Sequence, residues 1–272
     1  MIMDNKTYPR FILKMHRGYV LFSVIIIAFL QYLLVKLMTT MDVDVFYENI
    51  FSQLPERLQM VINESFFTRL SVEGAVAFGF NHPLVLTLLF LLAISLPTRH
   101  IAGDIENGTM ELLLAHPIKR RQLLTSLWAT GSLMLLAIIC AGEIGSVLAL
   151  AETGNLSEVV LLKMLQIGIN LWLLAILVMS IATLISTYMK EGSRAGMRSA
   201  AVILVFYFLF FQGILWDAVA FIKPYNIFTY YQPTKLMFGE RSFWLHAMVL
   251  SVLIAVSLIV SLSRFRKRDI PG

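Results

Sequence analysis

The chain has 272 residues, of which 58% are apolar and only 14% charged, with a formal net charge of +5. Soluble domains carry about a quarter charged residues, so there is too little polar surface here for water alone, and lipid is the expected solvent for much of it. The basic residues flank apolar runs and do not form one continuous patch. That excludes a nucleic-acid interface and suits the water-facing loops of a membrane protein. The single cysteine, Cys140, has no partner for a disulfide, and the histidines (His16, His82, His100, His116, His246) are scattered, as packing or interface residues are.

A helix crossing the hydrocarbon core needs about 20 mostly apolar residues. In chain order, the first such run is Gly18–Leu37. It follows Lys14, His16 and Arg17 and is too long for a signal sequence, so it reads as an uncleaved span. The next segment, Met38 to Gly74, is acidic, yet Val43, Phe46, Tyr47, Ile50, Phe51 and Leu54 recur at helical spacing, and Leu58, Val61, Ile62 and Phe66 continue the pattern beyond Pro55. Two amphipathic helices lying on the outer membrane surface are expected there, as a cap over the bundle. The second span runs over about 75–97, with Pro83 as an internal kink and Pro97 as a second bend. Further spans follow at about 123–150, 164–187, 199–221 and 245–262. The last outside loop, Ile222–Trp244, is rich in aromatic residues suited to the membrane boundary, and Pro224 and Pro233 break regular helix in it.

Six spans place fifteen of the 22 lysines and arginines on one side, which makes that side, with both chain ends, cytoplasmic. The expected fold class is therefore an all-α membrane protein, one domain over residues 1–272, with cytoplasmic N- and C-termini.

Catalytic and nucleotide motifs are missing. No Gly-x-x-x-x-Gly-Lys-Ser/Thr loop, His-Glu-x-x-His or Gly-x-Ser-x-Gly occurs. Gly192-Ser193-Arg194-Ala195-Gly196 has its serine in the wrong place and reads as a flexible basic loop. Gly142, Gly145, Ser146 and Ala149 form a small-residue stripe that favours close helix packing. Glu143 and Asp217 are acids within the third and fifth spans, near their outer ends. Such acids are costly in lipid and mark candidate functional positions, although polar packing, water, or a partner such as Lys36, Lys163 or Lys223 accounts for them more simply.

The loop between spans two and three carries the most information. Gly108 permits a sharp turn, Thr109 is a candidate N-cap, and Glu111 suits the first turn of a short helix. Leu112, Leu113 and Leu114 make that helix apolar, Pro117 stops it, and Lys119–Arg121 anchors the next span at the headgroups. A short rigid helix tied to two spans is able to pass force from a soluble partner into the bundle; an ordinary interfacial turn is the alternative.

The run from Glu106 to Arg120, acidic-x-Gly-Thr-x-Glu-Leu-Leu-Leu-x-x-Pro-Ile-x-Arg, resembles the signature loop of ABC-2-type permeases, the six-span membrane subunits of ATP-driven exporters. The basic N-terminal segment and Pro233-Thr234 before the last span add to the likeness. Gln232 stands where some members carry Asn, and Lys14-Met15 where a Lys-Glu pair is frequent. The resemblance implies that Glu106, Gly108, Thr109, Glu111 and Leu112 form a coupling helix that docks on a separate ATPase subunit, with Pro117 and Arg120 in the turn that follows. It implies that Tyr8 to Arg17 forms a connecting helix on the membrane surface. It also implies a permease homodimer enclosing the substrate path, location in the cell membrane, no cofactor in this chain, and ATP and Mg on the partner ATPase. One branch that the chain resembles serves copper-enzyme maturation for nitrous oxide reduction. Two other classes compete: a membrane-embedded enzyme using Glu143 or Asp217, and an anchor or maturation factor that only recruits other proteins. The dispersed methionines read as core or lipid-facing residues and do not point to copper.

Overall fold

The computed structural model describes residues 7–40, 71–116, 119–215 and 217–268. The two amphipathic outer helices expected within 38–74 fall almost wholly on residues 41–70, outside the described residues.

Helix α1, Thr7–Thr40, has 34 residues. At 1.5 Å per residue it is about 50 Å long, well beyond the ~30 Å hydrocarbon core. The expected separate surface helix at Tyr8–Arg17 is instead the first part of α1, which continues through Gly18 without a break. Nothing there interrupts the backbone hydrogen bonding that a new helix would need interrupted.

The second span begins at α2, Val72–Asn81, where the Ser71 hydroxyl accepts from the Gly74 N–H and Glu73 sits in the first turn. Pro83 was expected as a kink inside one helix. It is the first residue of a new helix, α3, Pro83–Pro97. The residue before a proline is driven into extended backbone, and His82 adopts φ −62°, ψ 135°. Its ring Nδ1 accepts from the Leu84 N–H at 3.2 Å, capping α3. Pro97 then passes into a π-helical turn, Thr98–Gly103, and α4, Asp104–Glu106. Helix α5 is Thr109–Leu114.

The remaining spans are α6, Arg120–Glu152; α7, Glu158–Tyr188; α8, Gly192–Leu215; and α10, Phe243–Lys267. Between α8 and α10 lie 3₁₀ segments at Asp217–Tyr225 and Ile227–Tyr230 and the short helix α9, Pro233–Met237. The fifth helix thus starts earlier and ends earlier than hydropathy predicts, because Ala218–Phe221 is apolar but lies in the 3₁₀ segment. This outer loop is pinned by its own polar groups. Asn226 donates to the Phe206 carbonyl at 2.6 Å and accepts from the Phe228 N–H at 3.0 Å, and the Tyr231 hydroxyl donates to the Phe80 carbonyl at 2.9 Å.

Among the described residues, six helical stretches are long and apolar enough to cross a membrane. Helix α7 is central, with 72% of its most apolar window buried, against 22%, 17% and 22% for α1, α8 and α10. Those three present their apolar side chains outward, as Phe22, Ile25 and Phe29 of α1 do, and lipid is the medium that such faces suit. Helix α1 packs along α6, and the small-residue stripe lies at that contact. A Cβ on Gly145 would lie 2.1 Å from the Ala28 carbonyl oxygen, so the backbones meet with nothing between them. Trp128 and Trp172 tie α6 to α7 through bonds to Ser180 Oγ at 3.0 Å and to the Ser132 carbonyl at 2.9 Å.

Candidate functional site

The site is the end of the bundle where Arg99, Arg120, Arg194, Arg264 and Arg268 gather, here called the basic end. Its centre is the connection from the second span to α6. After α4 the chain reverses at Asn107 and Gly108. Gly108 has φ 70°, a left-handed conformation that other residues adopt only with strain. Gly108 itself is the residue preceding α5, so Thr109 is the first residue inside the helix and not its side-chain N-cap, as the sequence had suggested. A glycine in the cap position has no side chain to accept from the first N–H groups, and the turn takes over the role of orienting the helix.

Helix α5 has two faces. Met110 is 0% and Leu113 7% exposed, packed in the core, while Thr109 and Glu111 are exposed and Leu112 is 69% exposed. The leucine run is thus split: Leu113 holds the helix to the bundle and Leu112 points away from it. Glu111 sits in the first turn, where a carboxylate complements the helix dipole. The helix ends at Leu114, and His116 Nδ1 lies 3.0 Å from the Leu112 carbonyl. Pro117 lies outside the described residues.

Long-range polar contacts fasten this element to its surroundings. Glu106 Oε2 accepts from the Gly192 N–H at 2.8 Å, at the start of α8. The contact is close because Gly192 has no side chain: a Cβ there would lie 3.0 Å from Gly103 Cα and 3.2 Å from the Thr98 carbonyl oxygen. Arg120 Nη1 donates to the carbonyl of Arg268. Arg268, 9% exposed, donates in turn to the carbonyls of Ser186 at 3.0 Å, Thr187 at 2.8 Å and Met189 at 2.7 Å. Ser186 and Thr187 lie in the last turn of α7 and Met189 just beyond it, so one guanidinium caps the helix end with charge-assisted bonds. Burial and the nearby Arg264 pull the Arg268 pKa below its usual value. Arg268 was not singled out from the sequence, because one of four basic tail residues carries no local mark of such a role. Arg264 beside it lies over the Tyr188 ring at 4.8 Å.

Helix α1 joins the same network. His16 Nε2 and His100 Nε2 are 3.1 Å apart, and His100 belongs to the π-helical turn. Asp104 Oδ2 is 3.6 Å from His100 Nδ1, too long for a hydrogen bond. Two histidines expected only to pack are therefore partners. No group of three or more metal-ligating side chains occurs among the described residues.

The two intramembrane acids lie away from this end and apart from it. Glu143 Oε1 is buried, with no hydrogen-bond partner among the described residues. It occupies the space left by Gly168, where a Cβ would come within 2.3 Å of that oxygen. Lys36, one of its expected partners, pairs instead with Glu152 at 3.0 Å, and Glu152 also accepts from the Tyr32 hydroxyl at 2.8 Å. The reason is reach: Glu152 is the last residue of α6, beside the outer end of α1, whereas Glu143 is more than two turns deeper. Asp217 was expected within the fifth span; its backbone lies in the 3₁₀ segment after α8.

A bundle of six apolar helices with a polar tie between its loops at one end defines a multi-pass membrane protein. Residues 14–270 match the family model of the ABC-2 family transporter protein, and the chain belongs to that family. It is thus a membrane permease of an ABC transporter, a component that is not itself catalytic. No curated protein matches the sequence.

Proposed function

We propose that this chain is the membrane-spanning subunit of an ATP-driven exporter, working in the cell membrane as a permease dimer coupled to a separate ATPase subunit. The observation that carries the coupling is the two-faced helix α5. Its inner face, Met110 and Leu113, is committed to the core, while Thr109, Glu111 and Leu112 are offered to a partner. The positive-inside imbalance supports a cytoplasmic basic end, where ATP is available. ATP and Mg would be held by the partner, since this chain has no phosphate-binding loop.

Coupling of this kind requires that nucleotide binding favour one arrangement of the spans over another. A push on α5 would reach α8 through Glu106 and Gly192, and α7 and α10 through Arg120 and Arg268. Helix α1 would follow through His16 and His100. The element is short and tied on both sides, so displacement would move it as a unit instead of bending a free loop.

The test is purification of the tagged chain in mild detergent, with identification of what accompanies it. Wild type should bring down an ATPase that carries a phosphate-binding loop. Glu111→Arg and Gly108→Pro should lose it, the first with the fold intact. A well-folded chain that purifies alone under all conditions would sink the reading. The enzyme alternative is less well supported, because Glu143 Oε1 has no hydrogen-bonded partner with which to share a proton among the described residues.

A further inference from the structure

At the end of the bundle opposite the basic end lies a cavity of about 690 Å³, walled by the segment from Lys223 to Lys235 and by the start of α10. Lys223, Lys235 and Arg241 line it, and among the described residues no carboxylate does. None of the three cations makes an ion pair among the described residues. Three like charges around one opening favour an anion between them. Thr229 and Gln232 add polar side chains to the same wall. A phosphate oxygen on a guest accepts from the ammonium and guanidinium N–H groups.

We infer that this cavity is a binding site for a phosphate ester, held by Lys223, Lys235 and Arg241. The ester has two sources: the headgroup of an anionic lipid or amphiphile, or a small soluble phosphate. An apolar groove begins next to the site, lined by Phe90 and Leu91 of α3, Leu204 and Tyr207 of α8, and Phe228, the residue before Thr229. A guest with an acyl chain has a place for it there. The inference that the cavity opens outward rests on the orientation proposed above; binding itself does not, and is measured without any ATPase.

The experiment uses the full chain in phosphatidylcholine nanodiscs. Three probes are titrated and followed by native mass spectrometry: dihexanoyl-phosphatidylglycerol, dihexanoyl-phosphatidylcholine and glycerol 3-phosphate. The phosphatidylglycerol should bind about ten-fold more tightly than the phosphatidylcholine. Lys235→Gln with Arg241→Gln should remove that preference, and Lys235→Arg should keep it, since charge-assisted bonds carry the recognition. Equal loss of glycerol 3-phosphate binding in the double variant would identify a soluble phosphate as sufficient; binding of the lipid probe alone would identify a headgroup. If neither anionic probe distinguishes wild type from the double variant, the inference is overturned. Lys223→Gln carries the same comparison should the double variant not fold.

Discussion

Glu106 accepts a hydrogen bond from the backbone N–H of Gly192 at 2.8 Å, across 86 residues of sequence. This one contact joins the turn before α5 to the first residue of the fifth span. It is electrostatically apt, because a carboxylate at a helix N-terminus satisfies an orphan N–H and meets the positive end of the dipole. Replacing Glu106 by Ala should therefore cost about 0.5–2 kcal/mol of stability, the range for a lost cap. Glu106→Gln, which keeps an acceptor without the charge, should cost less. Thermal unfolding of the purified chain measures both, and an Ala variant as stable as wild type would show the contact to be idle.

Gly192 should tolerate no side chain. Its added Cβ would sit 3.0 Å from the backbone of Gly103, which has no flexible end to move aside. Gly192→Ala is expected to destabilise by about 1–3 kcal/mol, as overpacking does. Gly196, one turn further along α8, is the control. Its added Cβ would meet only Thr98 Oγ1, at 3.9 Å, and alanine there should be neutral or stabilise by up to about 1 kcal/mol through helix propensity. Equal effects of the two substitutions on the melting temperature would contradict the packing argument.

Arg268 caps α7 with a planar fork that reaches three carbonyls. A lysine keeps the charge but has a single point of donation. Arg268→Ala should destabilise by about 1.5–3 kcal/mol, the scale of hydrogen bonds to charged groups, and Arg268→Lys should recover only part of that. Hydrogen exchange should become faster around Ser186–Met189 in both variants. Unchanged protection there would mean that the guanidinium does not hold the helix end.

Glu143 and Gly168 form a pair whose coupling is measurable. Gly168→Ala alone forces a Cβ toward Glu143 Oε1, which it would approach to 2.3 Å. It should cost about 1–3 kcal/mol. In a Glu143→Ala background the obstruction is gone and the same change should cost little. The double-mutant cycle should therefore give an interaction of about 1 kcal/mol or more; additive effects would separate the two residues.

The amino-acid sequence by itself determined the number of spans, the all-helical class and the existence of a turn and short helix at Gly108 to Leu114. Each of these depends on a property summed along the chain: apolar length, charge between apolar runs, or one glycine where the backbone must reverse. The helix ends were less legible. Hydropathy marks where side chains prefer lipid, so α1, α6, α7 and α10 continue as helix past the predicted bounds, while Ala218–Phe221 is apolar without being α-helical.

Only the tertiary structure decided which polar groups meet. Lys36, one of three candidate basic partners for the intramembrane acids, lies against Glu152 instead; His16 and His100, 84 residues apart, share a hydrogen bond; Arg268, but not Arg266 or Lys267, turns inward to the carbonyls of α7. Such contacts require two atoms to come within about 3 Å. That distance is set by how α6, α7 and α10 pack, and no window of sequence contains it.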